Sequence, residues 1–356
     1  MKSKFPLYIA VLTLVAFLLA AGCTPQSTAF PTSAPGNAQA TALPPSPVPT
    51  TEPTTGEPTL VPTTEPTAVP ATVAPTSGPI TLTDGLGREV TLESPAQRIV
   101  SLAPSNTEIL FAVGAGDQVV GRDEFSNYPE SVSGLPSVGG SYNKYNYESI
   151  VALQPDLVLA AEINTAEQVQ ALEDLGLKVF LLPNPSDLDE MYTRLMTVAK
   201  LTGHQAETER LVESLKQRVA SVKLKVAASS IRPKVFYELD GTQDPSAPWT
   251  FGQGTFLDAL VAMAGGENAA GGLKDPYAQI SIEELLVQNP DIILLGDSAY
   301  GVTPESLKER AGWDAIQAVK DGKVYPFNDD LVSRPGPRLV DGLEALAKII
   351  HPELFK

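Results

Sequence analysis

LDEMYTRLMTVAKLTGHQAETERLVESLKQRVASVKLK, residues 188–225, is the stretch on which the reading of the fold turns. It holds no proline and no strand signal. Val212, Leu215, Val219 and Val222 recur at helical spacing, and Thr202-Gly203 interrupts the pattern. The spacing predicts a shorter helix and then a second one over about His204–Lys225. That second helix is a rod of roughly 33 Å at 1.5 Å per residue. The rest of the folded sequence on either side alternates short β-rich runs with helical runs, the α/β pattern. The simplest geometry is two Rossmann-like α/β lobes bridged by one long α-helix.

On both sides of the rod the predicted elements alternate. Gln97–Leu102, Asp156–Ala161, Leu177–Leu182, Lys234–Leu239, Asp291–Leu295 and Lys323–Phe327 read as strands. Asn106–Val113, Tyr147–Leu153, Ala166–Leu175 and Gly254–Ala264 read as helices. An internal repeat supports two similar halves. Asn146-Tyr-Glu-Ser-Ile-Val-Ala-Leu-Gln-Pro-Asp-Leu-Val-Leu-Ala160 precedes the rod, and Ser281-Ile-Glu-Glu-Leu-Leu-Val-Gln-Asn-Pro-Asp-Ile-Ile-Leu-Leu295 follows it. Each reads as a capped helix, a Pro-Asp turn and a buried strand, the proline ending the helix. Ser105-x-x-Glu108 reads as a capping box that opens a helix, with no ligand role.

The folded region begins near Ile80. Before it, Thr24–Pro79 contains 14 prolines and 14 threonines, no Lys or Arg, and only Glu52, Glu57 and Glu65 as acids. Such a segment cannot bury enough apolar surface to offset its ordering entropy, and its prolines favour an extended, semi-rigid tether. Earlier still, Lys2 and Lys4 precede an apolar run over Leu7–Ala21, then Gly22 and Cys23. This is the layout of a secretory signal, and the apolar run is shorter than the roughly 20 residues of a membrane span.

Net charge is −17 over 356 residues, which argues against a nucleic-acid partner and against adhesion to anionic lipid by charge alone. Two histidines, His204 and His351, exclude a transition-metal site built from several imidazoles. Both read as exposed positions on or beside helices. Cys23 is the single cysteine, so no disulfide forms within the chain. No Gly-x-Ser-x-Gly and no catalytic Cys–His arrangement is present, so an enzyme is not expected.

The Leu-Ala-Ala-Gly-Cys ending resembles a bacterial lipobox, which implies lipidation of Cys23 and anchorage outside the cytoplasm. The folded part resembles class III solute-binding proteins of ABC importers, the helical-backbone group that includes vitamin B12, ferric-siderophore and haem carriers. The marks are Asp84-Gly-Leu-Gly-Arg-Glu-Val90, Arg98-Ile-Val-Ser-Leu-Ala-Pro-Ser-Asn-Thr-Glu108, the Ala-Leu-Gln-Pro-Asp segment ending at Asp156, Gly265-Gly-Glu-Asn268 and Arg334-Pro-Gly-Pro-Arg338. The resemblance implies a ligand held in a cleft between lobes. It suggests this organisation: signal peptide 1–23, tether 24–79, N-terminal lobe 80–187, bridging helix region 188–228 and C-terminal lobe 229–356.

In each repeat one first-turn glutamate is left uncommitted, Glu148 and Glu283. In the resembling vitamin B12 carrier, glutamates at these motif positions pair with permease arginines, so the resemblance implies docking for both. Phe125, Tyr142, Trp249 and Tyr277 match aromatic ligand contacts of that carrier, and Asp330 matches a polar one. Tyr142 stands where that carrier has tryptophan, and Leu331 where it has another aromatic. Arg334 and Arg338 are candidates to grip ligand carboxylates or phosphate, with local capping or pairing the other reading for Arg338. The expected ligand is a bulky metal chelate with no further cofactor or protein metal site. A corrinoid is favoured over a ferric siderophore, and haem comes third. The expected partners are a permease and its ATPase, the membrane through the lipid anchor, and no second copy of the chain. A surface sensory or adhesion module on the same fold is the remaining alternative.

Overall fold

The computed structural model describes residues 78–140 and 144–356. The signal sequence, Cys23, the tether as far as residue 77, and Tyr142 lie outside the described residues. A hairpin comes first, β1 (Ile80–Thr83) against β2 (Glu89–Leu92). Then β3 (Ile99–Ser101), β4 (Val119–Arg122), β5 (Leu157–Ala161) and β6 (Val179–Leu182) form a parallel sheet in the order β4-β3-β5-β6. Helices α1 (Pro104–Ala112), α2 (Tyr147–Ala152) and α3 (Ala166–Asp174) lie between these strands in sequence. Every residue of β5 and β6 is buried, as parallel strands covered on both faces require.

The long apolar-striped stretch folds as two helices, α4 (Leu188–Thr202) and α5 (Gln205–Val226). Asp187 opens α4 by accepting the Glu190 N–H at 2.8 Å. Gly203 closes it with φ of 86°, a left-handed conformation that glycine adopts without penalty. On α5, Leu215, Val219, Val222 and Val226 are buried and Val212 is half-buried.

Six strands follow: β7 (Lys234–Glu238), β8 (Trp249–Phe251), β9 (Glu267–Asn268), β10 (Tyr277–Gln279), β11 (Ile292–Leu295) and β12 (Val324–Pro326). Four of them make a second parallel sheet, β12-β11-β7-β9, while β8 and β10 pair as an antiparallel ribbon. Their helices are α6 (Phe256–Met263), α7 (Ile282–Gln288), α8 (Pro304–Glu309), α9 (Gln317–Lys320), α10 (Asp330–Ser333) and α11 (Leu339–Ile350). The two repeats take matching conformations. Asn146 and Ser281 cap α2 and α7, accepting the Ser149 and Glu284 N–H groups. Gln154 and Asn289, each just before its proline, have φ of 47° and 45°. Asp156 then accepts the N–H groups of Gln97 and Arg98, and Asp291 that of Lys234, tying each repeat to the neighbouring strand.

The core explains how the halves are joined. Along β3, β5, β7 and β11 alternate residues point to opposite faces. Ile99, Leu157, Leu159, Val235, Ile292 and Leu294 belong to one continuous apolar cluster with Leu195 of α4, Leu215 and Val219 of α5, Leu260 of α6 and Leu343 of α11. Their neighbours Val100, Val158, Phe236 and Ile293 enter two separate clusters, one on the other face of each sheet. Arg218 of α5 adds ion pairs to Asp341 and Glu344 of α11 at 2.6 and 2.8 Å.

Two expectations are corrected. Ser105-x-x-Glu108 is not a capping box: Pro104 occupies the first turn, the cap is Ala103 with no side-chain bond, and Ser105 and Glu108 lie within α1. Proline at the first helical position moves the helix start ahead of the serine. The histidines are not both exposed. His351 is 2% exposed at the end of α11, its Nε2 within 3.2 Å of the Gly265 carbonyl, because the helix end packs under the Gly265 turn. His204 is half-buried and paired with Glu207. In the second repeat the Glu284 carboxylate accepts from the Gln288 side chain.

Candidate functional site

In open α/β sheets ligands gather outside the carboxyl ends of the strands. Here the chain leaves β4 into Phe125 and Asn127, β7 into Leu239, β11 into the turn Gly296–Tyr300, and β12 into Phe327–Asp330. Residues from all four exits, with Thr303 and Arg334, line one cavity of about 690 Å³. It draws on both halves and falls in the size range of small-molecule sites.

The loop carrying Phe125 is set by a buried acid. Asp123 accepts from the Phe125 and Ser126 N–H groups at 2.8 and 3.1 Å and from the Ser126 hydroxyl. Burial pushes the Asp123 carboxyl upward against those donors. Ser126 also bonds Thr107 of α1 at 2.7 Å. The Phe125 ring is left 55% exposed beside the cavity.

Arg334 holds the two halves together at the cavity. Its Nη1 donates to Glu108 Oε1 at 2.9 Å and to Asn127 Oδ1 at 2.7 Å, and its Nη2 lies 2.8 Å from Asp330 Oδ1. Arg338 donates to the same Glu108 oxygen at 2.8 Å and stacks on Tyr128 with its guanidinium carbon 4.1 Å from the ring centre. Burial pushes Glu108 upward, and the two guanidiniums oppose it. Its Oε2 is buried with no partner among the described residues.

Under the second sheet's exits lies a denser network. Glu238, fully buried at the end of β7, takes both Arg310 amino groups at 2.6 and 2.9 Å. Burial, with Asp297 beside it, pushes Glu238 up to about 7 against the pull of Arg310. Asp297 Oδ2 accepts the Gly241 N–H at 2.8 Å, while its Oδ1 is buried with no partner among the described residues. Tyr237 donates to Asp329 Oδ1 at 2.7 Å, fixing the start of the segment that carries Asp330 and Arg334.

Of the residues proposed from sequence, Phe125, Asp330 and Arg334 meet at the cavity. Arg338 does not line the cavity and is paired with Glu108 of the other half. Trp249 and Tyr277 are not among its lining residues; they sit exposed on the β8–β10 ribbon, two residues apart across its register. The Trp249 carbonyl accepts the Leu239 N–H, one hydrogen bond from the cavity wall. Glu148 and Glu283 are exposed on the first turns of α2 and α7, their carboxylates without a hydrogen bond or ion pair to the described residues. Sequence reasoning missed Asn127, Ser298, Tyr300, Asn328 and Asp329. Their positions just after strand ends were the available signal.

The profile of the family described as periplasmic binding protein matches residues 99–331. This chain belongs to that family. Periplasmic binding proteins similar to it include an uncharacterized ABC transporter substrate-binding lipoprotein, YvrC, of Bacillus subtilis, 34% identical over 283 residues, 78% of this chain and 87% of the relative. A cobalamin-binding protein of Halobacterium salinarum is 31% identical over 281 residues, 77% of this chain and 74% of that one. Among solved structures, the periplasmic heme-binding protein RhuT from Roseiflexus sp. RS-1 in its apo form superposes with a TM-score of 0.65. It is 26% identical, covering 73% of this chain and 99% of RhuT. The two-lobed α/β architecture with its bridging helix is therefore that of the family.

Proposed function

We propose that this periplasmic binding protein is the extracytoplasmic capture component of an ABC importer, and that its cargo is a bulky metal chelate, a corrinoid first. The carrying observation is one cavity shared by two parallel-sheet halves whose core runs unbroken through α4 and α5. The similarity to a cobalamin-binding protein supports the corrinoid, and the similarity to a substrate-binding lipoprotein supports the importer and lipidation at Cys23. The likeness to a heme-binding protein favours haem as the second reading. Phe125, Asp330 and Arg334 are the proposed cavity contacts, with Tyr142, Trp249 and Tyr277 as further aromatic contacts. Glu148 and Glu283 are the proposed permease contacts, and lobes of 80–187 and 229–356 flank the bridge of 188–228. The carrier acts as a monomer and catalyses no reaction.

A thermal-shift screen with cyanocobalamin, haem and ferrioxamine B tests the cargo. Ligand at 100 times its dissociation constant stabilises by about 2.7 kcal/mol, an upward shift of a few degrees. No shift with any of the three rejects the chelate reading. For docking, Glu148→Arg with Glu283→Arg is expected to abolish uptake in proteoliposomes bearing the cognate permease and ATPase, with ligand affinity unchanged. Wild-type uptake rejects it.

A further inference from the structure

The charge around the cavity decides more than its size does. Arg334 is the one cation among the described residues that line it. It is already spent on Glu108, Asn127 and Asp330. Asp329 lines the same wall, and its Oδ1 accepts a neutral phenol hydrogen rather than a cation. Counting Arg338, which shares Glu108 from behind, two guanidiniums stand against three carboxylates: Glu108, Asp329 and Asp330. Among the described residues that line the cavity, a ligand carboxylate or catecholate meets no unpaired cation and at least one unneutralised carboxylate. Like charges brought together at a desolvated contact are strongly disfavoured.

The apolar contacts are equally specific. Tyr300 closes the turn after β11 and is 82% exposed, its side chain without a hydrogen bond or ring contact to the described residues. Gly301 follows it with φ of 93°, turning the chain away. Phe125, from the other half, also lines the cavity with its ring largely bare. Two uncovered aromatic faces from opposite halves favour a large, flat or bulky ligand whose burial covers them.

We infer that the cavity selects metal chelates of zero or positive net charge, held against Phe125 and Tyr300, and discriminates against anionic chelates of the same size. The inference rests on the chelate reading above and names which class of chelate is taken.

The test uses the full chain and equilibrium titration at low salt. The matched probes are cyanocobalamin and its monocarboxylate, made by hydrolysing one propionamide, which differ by one negative charge. Cationic ferrioxamine B and a trianionic ferric triscatecholate form the second pair. The anionic member of each pair is expected to bind about tenfold weaker or worse. Asp329→Asn, which keeps an acceptor for Tyr237, is expected to narrow that gap several-fold. Tyr300→Ala is expected to weaken the neutral or cationic probe about tenfold, with Tyr300→Phe restoring it. Equal affinity within both pairs, or a gap untouched by Asp329→Asn, overturns the selection rule while leaving the chelate reading in place. An unaffected Tyr300→Ala variant removes Tyr300 from it. No binding of any probe overturns the chelate reading and this inference with it.

Discussion

At the scale of single residues, the buried acids carry the most information. Glu238 has an ordinary carboxylate value when unfolded and holds its proton up to about 7 when folded, because burial penalises its charge. The folded state therefore binds more protons than the unfolded one between those values, and stability falls as pH rises through that window. Melting at fixed ionic strength should show the midpoint dropping from pH 5 to pH 7.5. Glu238→Gln should flatten that part of the curve, an effect on the order of 3 kcal/mol at most. Glu108 shows why such residues escape a reading of sequence. Its partners Arg334 and Arg338 lie 226 and 230 positions away, so nothing local marks it as more than a polar helix residue. Glu108→Ala leaves Arg338 without a carboxylate and takes one of two from Arg334, and should cost roughly 3–5 kcal/mol in urea unfolding.

At the scale of elements, legibility followed length and period. Helix α5 is 22 residues with a regular apolar stripe, and its bounds were predicted to within one residue. Strands β5, β7 and β11 were visible as short buried runs closed by turn residues. Strand β4 was missed because Val-Val-Gly-Arg is four residues with a glycine inside, too short and too weak in β preference to stand out. The ribbon of β8 and β10 was missed for a related reason: each strand is three residues and its partner is remote in sequence. The stripe on α5 also makes a prediction. Leu215→Ala should cost about 2–5 kcal/mol by chemical denaturation, since the side chain is packed among residues of both halves. Ligand affinity should stay unchanged, because Leu215 does not line the cavity.

At the scale of the whole binding unit, the cavity was half visible beforehand. Phe125, Asp330 and Arg334 were read from motif position. Tyr300 and Asp329 were not, because only the parallel order of the second sheet brings the exits of β7, β11 and β12 together. The continuous core through α4, α5, α6 and α11 resists relative movement of the halves, and X-ray scattering with and without cyanocobalamin should show no measurable compaction. Such rigidity has a consequence for traffic at the membrane. A jaw that barely shuts gives a transporter little by which to tell a laden shuttle from a vacant one. Vacant shuttles should therefore crowd the loading dock, and import should slow when cargo-free protein is supplied in excess.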